Sequence, residues 1–525
     1  MLNHDALSKN LSTAARIRKP AVRSAGGVVA AHHRVAAEVG ADVLRRGGNA
    51  VDAAVATGFV AGVVEPWMSG IGGIGVMLIR EARSGKVSVV DFGARSPRAL
   101  DPADYPLAGG EDSDLFGWPG VVENRNLVGA KAVAVPAMVA GHALAHERFG
   151  TLPWAELIGP SAEIAEVGAD VDWYTSLLVT SAFAELSRDP GSSAHFLRNG
   201  APIVRGAASA GTPPRMPWPS LARTLRAIGE KGASVFYEGE VARAMIADME
   251  RAGGSLSLED LAACRATTRE PKVLRYNGYD INVAPELNGG PTMLEAMEHL
   301  LGEHAPSGNA PDGKAFSAMA TVLKRAWKRR LAEMGDKSPH PTSTTNFSVV
   351  DREGNIVVVT QTLLSLFGAR LLLPETGIMM NNGINWFDPR PGALNSIGAN
   401  KRVLSNYCPA IAVSGEDVIG VGGSGGRKII PAMMNLLTFM IDYGMDLESA
   451  MHAPRIDVSG PDLVVADRLL PQDVLNALGA DHETILAERG TYPNNFTTAS
   501  VVRRRDGVNE GASEPVQPTA EAIGA

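Results

Sequence analysis

Cysteine is almost missing from this chain. Cys264 and Cys408 are the only two in 525 residues. Two distant cysteines can form neither a disulfide framework nor a CxxC metal pair, which fits a reducing compartment. Long apolar runs are missing too: no stretch approaches the roughly 18 residues of a membrane-spanning helix. Residues 1–23 carry Lys9, Arg16, Arg18, Lys19 and Arg23 but no apolar core of a secretory signal, so a cytoplasmic protein is expected. Positive charge is not in excess; 49 Lys and Arg against 57 Asp and Glu leave a net charge of -8, which argues against nucleic acid as a partner. No GxSxG elbow is present to carry a Ser-His-Asp triad. The adjacent pair His32-His33 lacks metal-ligand spacing and reads as turn or surface, so neither a metal nor another cofactor is expected.

What is present is ordinary for a globular protein with many turns: 45% hydrophobic residues and 57 glycines. Val35, Val39, Val43 and Leu44 recur at helical spacing until Gly47. Asn49 is a good N-cap for a second helix, with Asp52 in its first turn. That helix is rich in alanine and valine through Val64, apolar all round, and predicted to be buried. Further strands are expected at 77–79, 87–92, 276–283, 377–380, 409–413 and 418–421. Helices are expected within 137–186 and at 218–228, 240–252, 258–263, 293–301, 315–334 and 430–443. Residues 101–126 read as an irregular surface excursion, the basic run from Lys324 to Arg330 as a solvated face, and the polar tail beyond Arg503 as disordered. Periodicity alone gives a mixture of α and β.

One stretch organises the rest. Residues 347–351 and 356–362 alternate as a β-hairpin around the turn Arg352-Glu353-Gly354-Asn355. Ahead of it lie the polar, proline-containing residues 337–343 and then Thr344-Thr345, a loop-to-strand junction suited to cleavage. A threonine that becomes an N-terminus carries nucleophile and base in one residue: Oγ attacks and the α-amine takes its proton. Downstream lie Thr362 and the turn Gly422-Gly423-Ser424-Gly425-Gly426. Residues 420–425 also spell GxGxxG, as do residues 70–75, but neither opens a βαβ unit with an acid about 20 positions on, so dinucleotide binding is disfavoured.

Several blocks in order make the chain resemble the γ-glutamyltranspeptidases (glutathione hydrolases), members of the N-terminal-nucleophile hydrolases. They are Gly47-Gly48-Asn49-Ala50-Val51-Asp52-Ala53-Ala54, Ser69-Gly70-Ile71-Gly72-Gly73, Phe149-Gly150-Thr151-Leu152-Pro153-Trp154, residues 344–351, Asn400-Lys401-Arg402 and residues 423–430. The resemblance implies an α+β fold, a four-layer αββα sandwich. It implies self-cleavage between Ser343 and Thr344 into a large chain, 1–343, and a small chain, 344–525, that stay together as one globular domain, and it leaves open a dimer of such heterodimers. Thr344, rather than Thr345, is then the nucleophile, Thr362 orients it, and Gly425 and Gly426 form the oxyanion hole.

The sequence departs from that family where the γ-glutamyl group would be held. Gly93 stands where an arginine is usual, and Arg95 two places on is the candidate to reach the cleft. Leu364 replaces an asparagine. In Asn381-Asn382-Gly383-Ile384-Asn385-Trp386-Phe387, Gly383 replaces a glutamine and Trp386 replaces the acid that pairs the substrate amine. Ser405-Asn406 replaces a Ser-Ser pair. Asn385, Trp386, Ser405, Asn406 and Arg95 are thus the candidate substrate contacts. An ammonium buried beside an indole and a leucine lacks a counter-charge, at a cost of several kcal/mol. The expected activity is hydrolysis of a small, carboxylate-bearing amide, as in the oxamate amidohydrolase and acylase branches. A γ-glutamyltranspeptidase is the alternative, and a non-catalytic binding protein on the same fold is the alternative of another class.

Overall fold

The computed structural model describes residues 17–111, 118–204, 212–334 and 345–525. Its centre is two seven-stranded antiparallel sheets packed face to face. In chain order the strands are β1 (Val22–Ser24), β2 (Gly27–Ala31), β3 (Ile74–Arg80), β4 (Val87–Phe92), β5 (Thr267–Arg269), β6 (Lys272–Tyr276) and β7 (Tyr279–Val283). They continue as β8 (Thr345–Asp351), β9 (Ile356–Thr362), β10 (Ala410–Ser414), β11 (Asp417–Ser424), β12 (Thr498–Arg505), β13 (Val508–Ser513) and β14 (Glu521–Gly524). The first sheet has the order β5-β4-β3-β9-β8-β2-β14 and the second β1-β13-β12-β11-β10-β7-β6. With every pairing in these two sheets antiparallel, neither GxGxxG match sits in a βαβ unit.

Alternation along the strands makes the layers. In β11, Ile419 and Val421 face helices while a Cβ at Gly420 would press on Ile356 and Val358 of the first sheet. Over the first sheet lie α1 (Arg34–Arg45), α2 (Ala50–Val64), α3 (Met138–Phe149), α4 (Trp154–Val167) and α5 (Trp173–Ser181). Over the second lie α6 (Gly290–Glu303), α7 (Gly313–Glu333) and α8 (Ile429–Ile441). The result is the expected αββα sandwich. No helix among the described residues is long and apolar enough to cross a membrane.

α2 shows why the fold forms where it does. The Asn49 side chain accepts from the N–H groups of Val51 and Asp52 at 2.8 and 3.0 Å, and Asp52 reaches back to the Asn49 N–H at 2.9 Å. This capping box starts a helix in which all fifteen residues are buried.

Four expectations need correction. The tail beyond Arg503 is not disordered: β13 pairs with β12, and β14 pairs with β2. Residues 377–380 form no strand, only bridges at Met379 and Met380. Residues 276–283 belong to a hairpin, β6–β7, turned at Asn277-Gly278 with φ of 40° and 89°. The 101–126 region is not wholly superficial, because Trp118 and Asn126 are buried.

Candidate functional site

Four strand ends converge. β8 begins at Thr345, β9 ends at Thr362, β11 ends at Ser424 and β12 begins at Thr498. Asn346 clamps the sheets together. Its Nδ2 donates to the Val359 carbonyl at 2.6 Å and to Thr360 Oγ1 at 3.2 Å, while its Oδ1 accepts from Ser500 Oγ in the second sheet. A Cβ at Gly422 would overlap the Asn346 amide, so this crossing requires glycine.

Period-2 alternation sends Thr345 the other way, toward the helical layer. Its hydroxyl donates to Glu65 Oε2 at 2.8 Å and lies 3.5 Å from His32 Nδ1. Ser343 and Thr344, the expected cleavage pair, lie outside the described residues.

Thr362 is fully buried, and its Oγ1 accepts from the Leu364 N–H at 2.7 Å. That bond closes a turn which puts Leu364 at φ 88°, a left-handed conformation rare for a bulky side chain. Gly425 and Gly426 have φ of 137° and 62° and lead into the short helix Gly426–Lys428 ahead of α8. Among the described residues no acceptor takes either glycine N–H. Two N–H groups left without an acceptor are what the expected oxyanion hole requires. Gly426→Val is expected to lower kcat by about 10²–10³, the loss typical of one such donor. A correctly processed variant with unchanged kcat would remove these glycines from the site.

The expected substrate contacts divide. Arg95 is exposed, and its Nη1 donates to the carbonyl and side-chain oxygens of Asn400 at 2.7 and 3.1 Å. The expectation that it reaches the cleft is thereby corrected: the two-place shift makes it a strut for the loop that bridges at Arg402. Ser405 Oγ is bonded to the Leu287 carbonyl and to Asn288 Oδ1, and Asn406 Oδ1 accepts from Arg330 at 3.2 Å, so both brace their loop. Asn385 and Trp386 are buried in a turn latched to the end of β9, where the Asn382 N–H donates to the Leu363 carbonyl. Asn385 Oδ1 accepts from Asn126, and its backbone carbonyl from Trp118 Nε1. The Trp386 ring stands edge-on to Tyr407 with centroids 5.3 Å apart. Asn385 Nδ2, Trp386 Nε1 and Tyr407 OH have no partner among the described residues.

Several residues were missed. His32 is not a surface histidine but is 1% exposed, and burial lowers its pKa to about 3. Its Nδ1 accepts from the Asn346 N–H at 3.4 Å and lies 3.5 Å from Ser424 Oγ. Glu65 is fully buried, and burial pushes its carboxyl up to about 8. Arg330, assigned to a solvated face, is also buried; its guanidinium holds the carbonyls of Asn288 and Ser405. Desolvation and the neighbouring Arg427 lower it to about 9. Of these, Glu65 left a signal, an acid directly after the apolar run 53–64.

The family profile described as gamma-glutamyltranspeptidase matches residues 36–341 and 337–524, nearly the whole chain. The chain belongs to the gamma-glutamyltranspeptidase family. It is an amide hydrolase of the N-terminal-nucleophile class. It is similar to the acylase ACY 1 proenzyme of Pseudomonas sp. (strain SE83), with 34% identity over 538 residues covering 93% of this chain and 94% of that one. It is also similar to the glutathione hydrolase proenzyme of Escherichia coli (strain K12), with 29% identity over 549 residues covering 94% and 91%. Among solved structures, the cephalosporin acylase from Bacillus halodurans superposes with a TM-score of 0.84 over 98% of both chains at 24% identity, a likeness of fold. The gamma-glutamyltranspeptidase family thus joins acylases and glutathione hydrolases on one architecture.

Proposed function

We propose that this protein is a self-processing acylase-type amide hydrolase, cut between Ser343 and Thr344, whose substrates present a carboxylate or carbonyl and no α-ammonium. The buried hydrogen-bond donors Trp386 Nε1 and Tyr407 OH carry this reading. An N–H and an O–H without partners suit an acceptor on the substrate. Burial holds the Tyr407 phenol far above its usual range, so it keeps its proton. Asp91, the acid that faces Tyr407, is already held by Arg402 and Arg269 and leaves no counter-charge for an ammonium.

Thr345, the residue after the proposed nucleophile, faces Gln361 across β8–β9, beside Thr362 at the end of β9. Thr344 Oγ then attacks the substrate carbonyl and the α-amine takes its proton. The N–H groups of Gly425 and Gly426 receive the oxyanion. Collapse expels the leaving amine, which takes the proton back, and leaves an ester on Thr344 Oγ. Water hydrolyses that ester to the free acid. In the precursor the same hydroxyl attacks the Ser343 carbonyl.

A matched pair of substrates tests the reading. Glutaryl-p-nitroanilide and γ-glutamyl-p-nitroanilide differ only by the α-ammonium. The glutaryl compound is expected to have a kcat/KM about 100-fold higher, since an unpaired buried charge costs several kcal/mol. Trp386→Asp should narrow that ratio by restoring the counter-charge. Equal or faster turnover of the γ-glutamyl compound by the wild type would return the glutathione hydrolase reading. A single uncut band would favour the non-catalytic one.

A further inference from the structure

A cavity of about 640 Å³ opens where the start of α1, the end of α4, residues 168–172 and the C-terminal segment meet. Its apolar floor is Val35, Val64, Ile164 and Ala169, which pack with Ala36, Val60 and Ala61 in a small cluster apart from the two main cores. Val167 stands exposed at the rim. The volume falls within the roughly 300–1,000 Å³ of small-molecule sites.

Neighbouring residues divide between this cavity and the candidate site. His32 and Glu65 reach Thr345, whereas His33 and Val64, next to them in the chain, line the cavity. Thr519 braces the shared wall: its Oγ1 donates to the His32 carbonyl at 2.8 Å, and its own carbonyl accepts from the Arg34 N–H at 2.7 Å. None of Thr345, Thr362, Gly425, Gly426, Trp386 and Tyr407 lines the cavity, so it is a second place rather than an extension of the first.

Four carboxylates line it, those of Glu163, Asp170, Asp172 and Glu521, against the two guanidiniums of Arg34 and Arg215. Arg215 is taken by Asp170 at 3.1 Å, and Arg34 by Glu38 at 2.7 Å, an acid outside the lining. Glu521 also faces Arg34 and Lys19 at longer range, which leaves Glu163 and the helix-capping Asp172 without a cation. His33 adds no charge: its Nδ1 accepts from the Val35 N–H at 3.2 Å, and burial lowers its pKa to about 4. An apolar floor under a rim with carboxylates in excess suits a cation with an apolar body. We propose that this cavity is a second binding site, for an amphipathic organic cation of the arylalkylamine class, its body on Val64 and Ile164 and its ammonium at the carboxylate rim.

Titration calorimetry of the whole protein at neutral pH tests this with three probes of one shape: 2-phenylethylamine, 2-phenylethanol and phenylacetate. The amine is expected to bind roughly 10-fold more tightly than the alcohol, and the carboxylate more weakly than either. Val167→Arg sets a fixed cation at the exposed rim, at a helix C-terminus where a positive charge is tolerated. It should weaken amine binding by about 10-fold or more while amide hydrolysis and Tm stay as in the wild type. Glu163→Gln, which removes one rim charge and little volume, should weaken the amine a few-fold and leave the alcohol unchanged. No heat from the amine up to about 10 mM overturns the proposal, as does equal affinity for amine and alcohol. Amine binding that is undiminished in both variants places the ligand elsewhere and overturns it too.

Discussion

Thr344→Ala is expected to leave one uncut chain and to lower amide hydrolysis by a factor on the order of 10⁶, the scale of losing a catalytic nucleophile. In the proposed mechanism one hydroxyl attacks both the Ser343 carbonyl and the substrate, so both activities should fall together. Alanine removes the oxygen without adding bulk. Denaturing electrophoresis and N-terminal sequencing check the cleavage, and p-nitroaniline release checks turnover. Thr345 is not expected to take over, because its hydroxyl is bonded to the buried Glu65 in the helical layer. If Thr344→Ala still matured between 343 and 344, an external protease would be the agent and Thr344 would lose its role.

The second large effect is on stability. Glu514 lies between β13 and β14, wholly buried, with Arg455 Nη2 at 2.7 Å from Oε2 and Arg489 Nε at 2.8 Å from Oε1. The two guanidiniums outweigh the desolvation that raises it and hold its carboxyl below the usual range. Glu514→Ala leaves both cations in the interior, where loss of one partner of a buried pair costs about 3–5 kcal/mol. The urea midpoint at pH 7 should fall accordingly. In the wild type this contribution is present above the unfolded pKa, near 4.5, and is lost as pH falls through the lower folded value. A loss under about 1 kcal/mol would mean that the C-terminal segment is not part of the cooperative unit.

Glu514 stands in the tail that composition marks as disordered, and this difference shows how sequence legibility ran out. Residues 503–525 are polar and proline-bearing. Their order comes from partners outside the tail: β14 pairs with β2, hundreds of positions away, and Glu514 meets Arg455 and Arg489. Local composition carries no record of such pairing. The β6–β7 hairpin differs, because its Asn277-Gly278 turn signal is plain in the sequence. Residues 377–380 look like a strand by composition, yet tertiary packing gives them only isolated bridges.

The candidate site divides in the same way. The hairpin around residues 352–355, the helix capped by Asn49 and the glycine turn at 422–426 are local features, set by alternation, capping and backbone freedom, and the sequence by itself determined them. It also determined the family, through the order of its blocks. Only the tertiary structure decided that Arg95 braces Asn400 at the surface, that His32 and Arg330 are interior, and that Glu65 meets Thr345. It also decided that Trp386 and Tyr407 stand together with unpartnered donors. Burial and side-chain pairing depend on which surfaces the two sheets bring together, and that is a property of long-range contacts rather than of neighbouring residues.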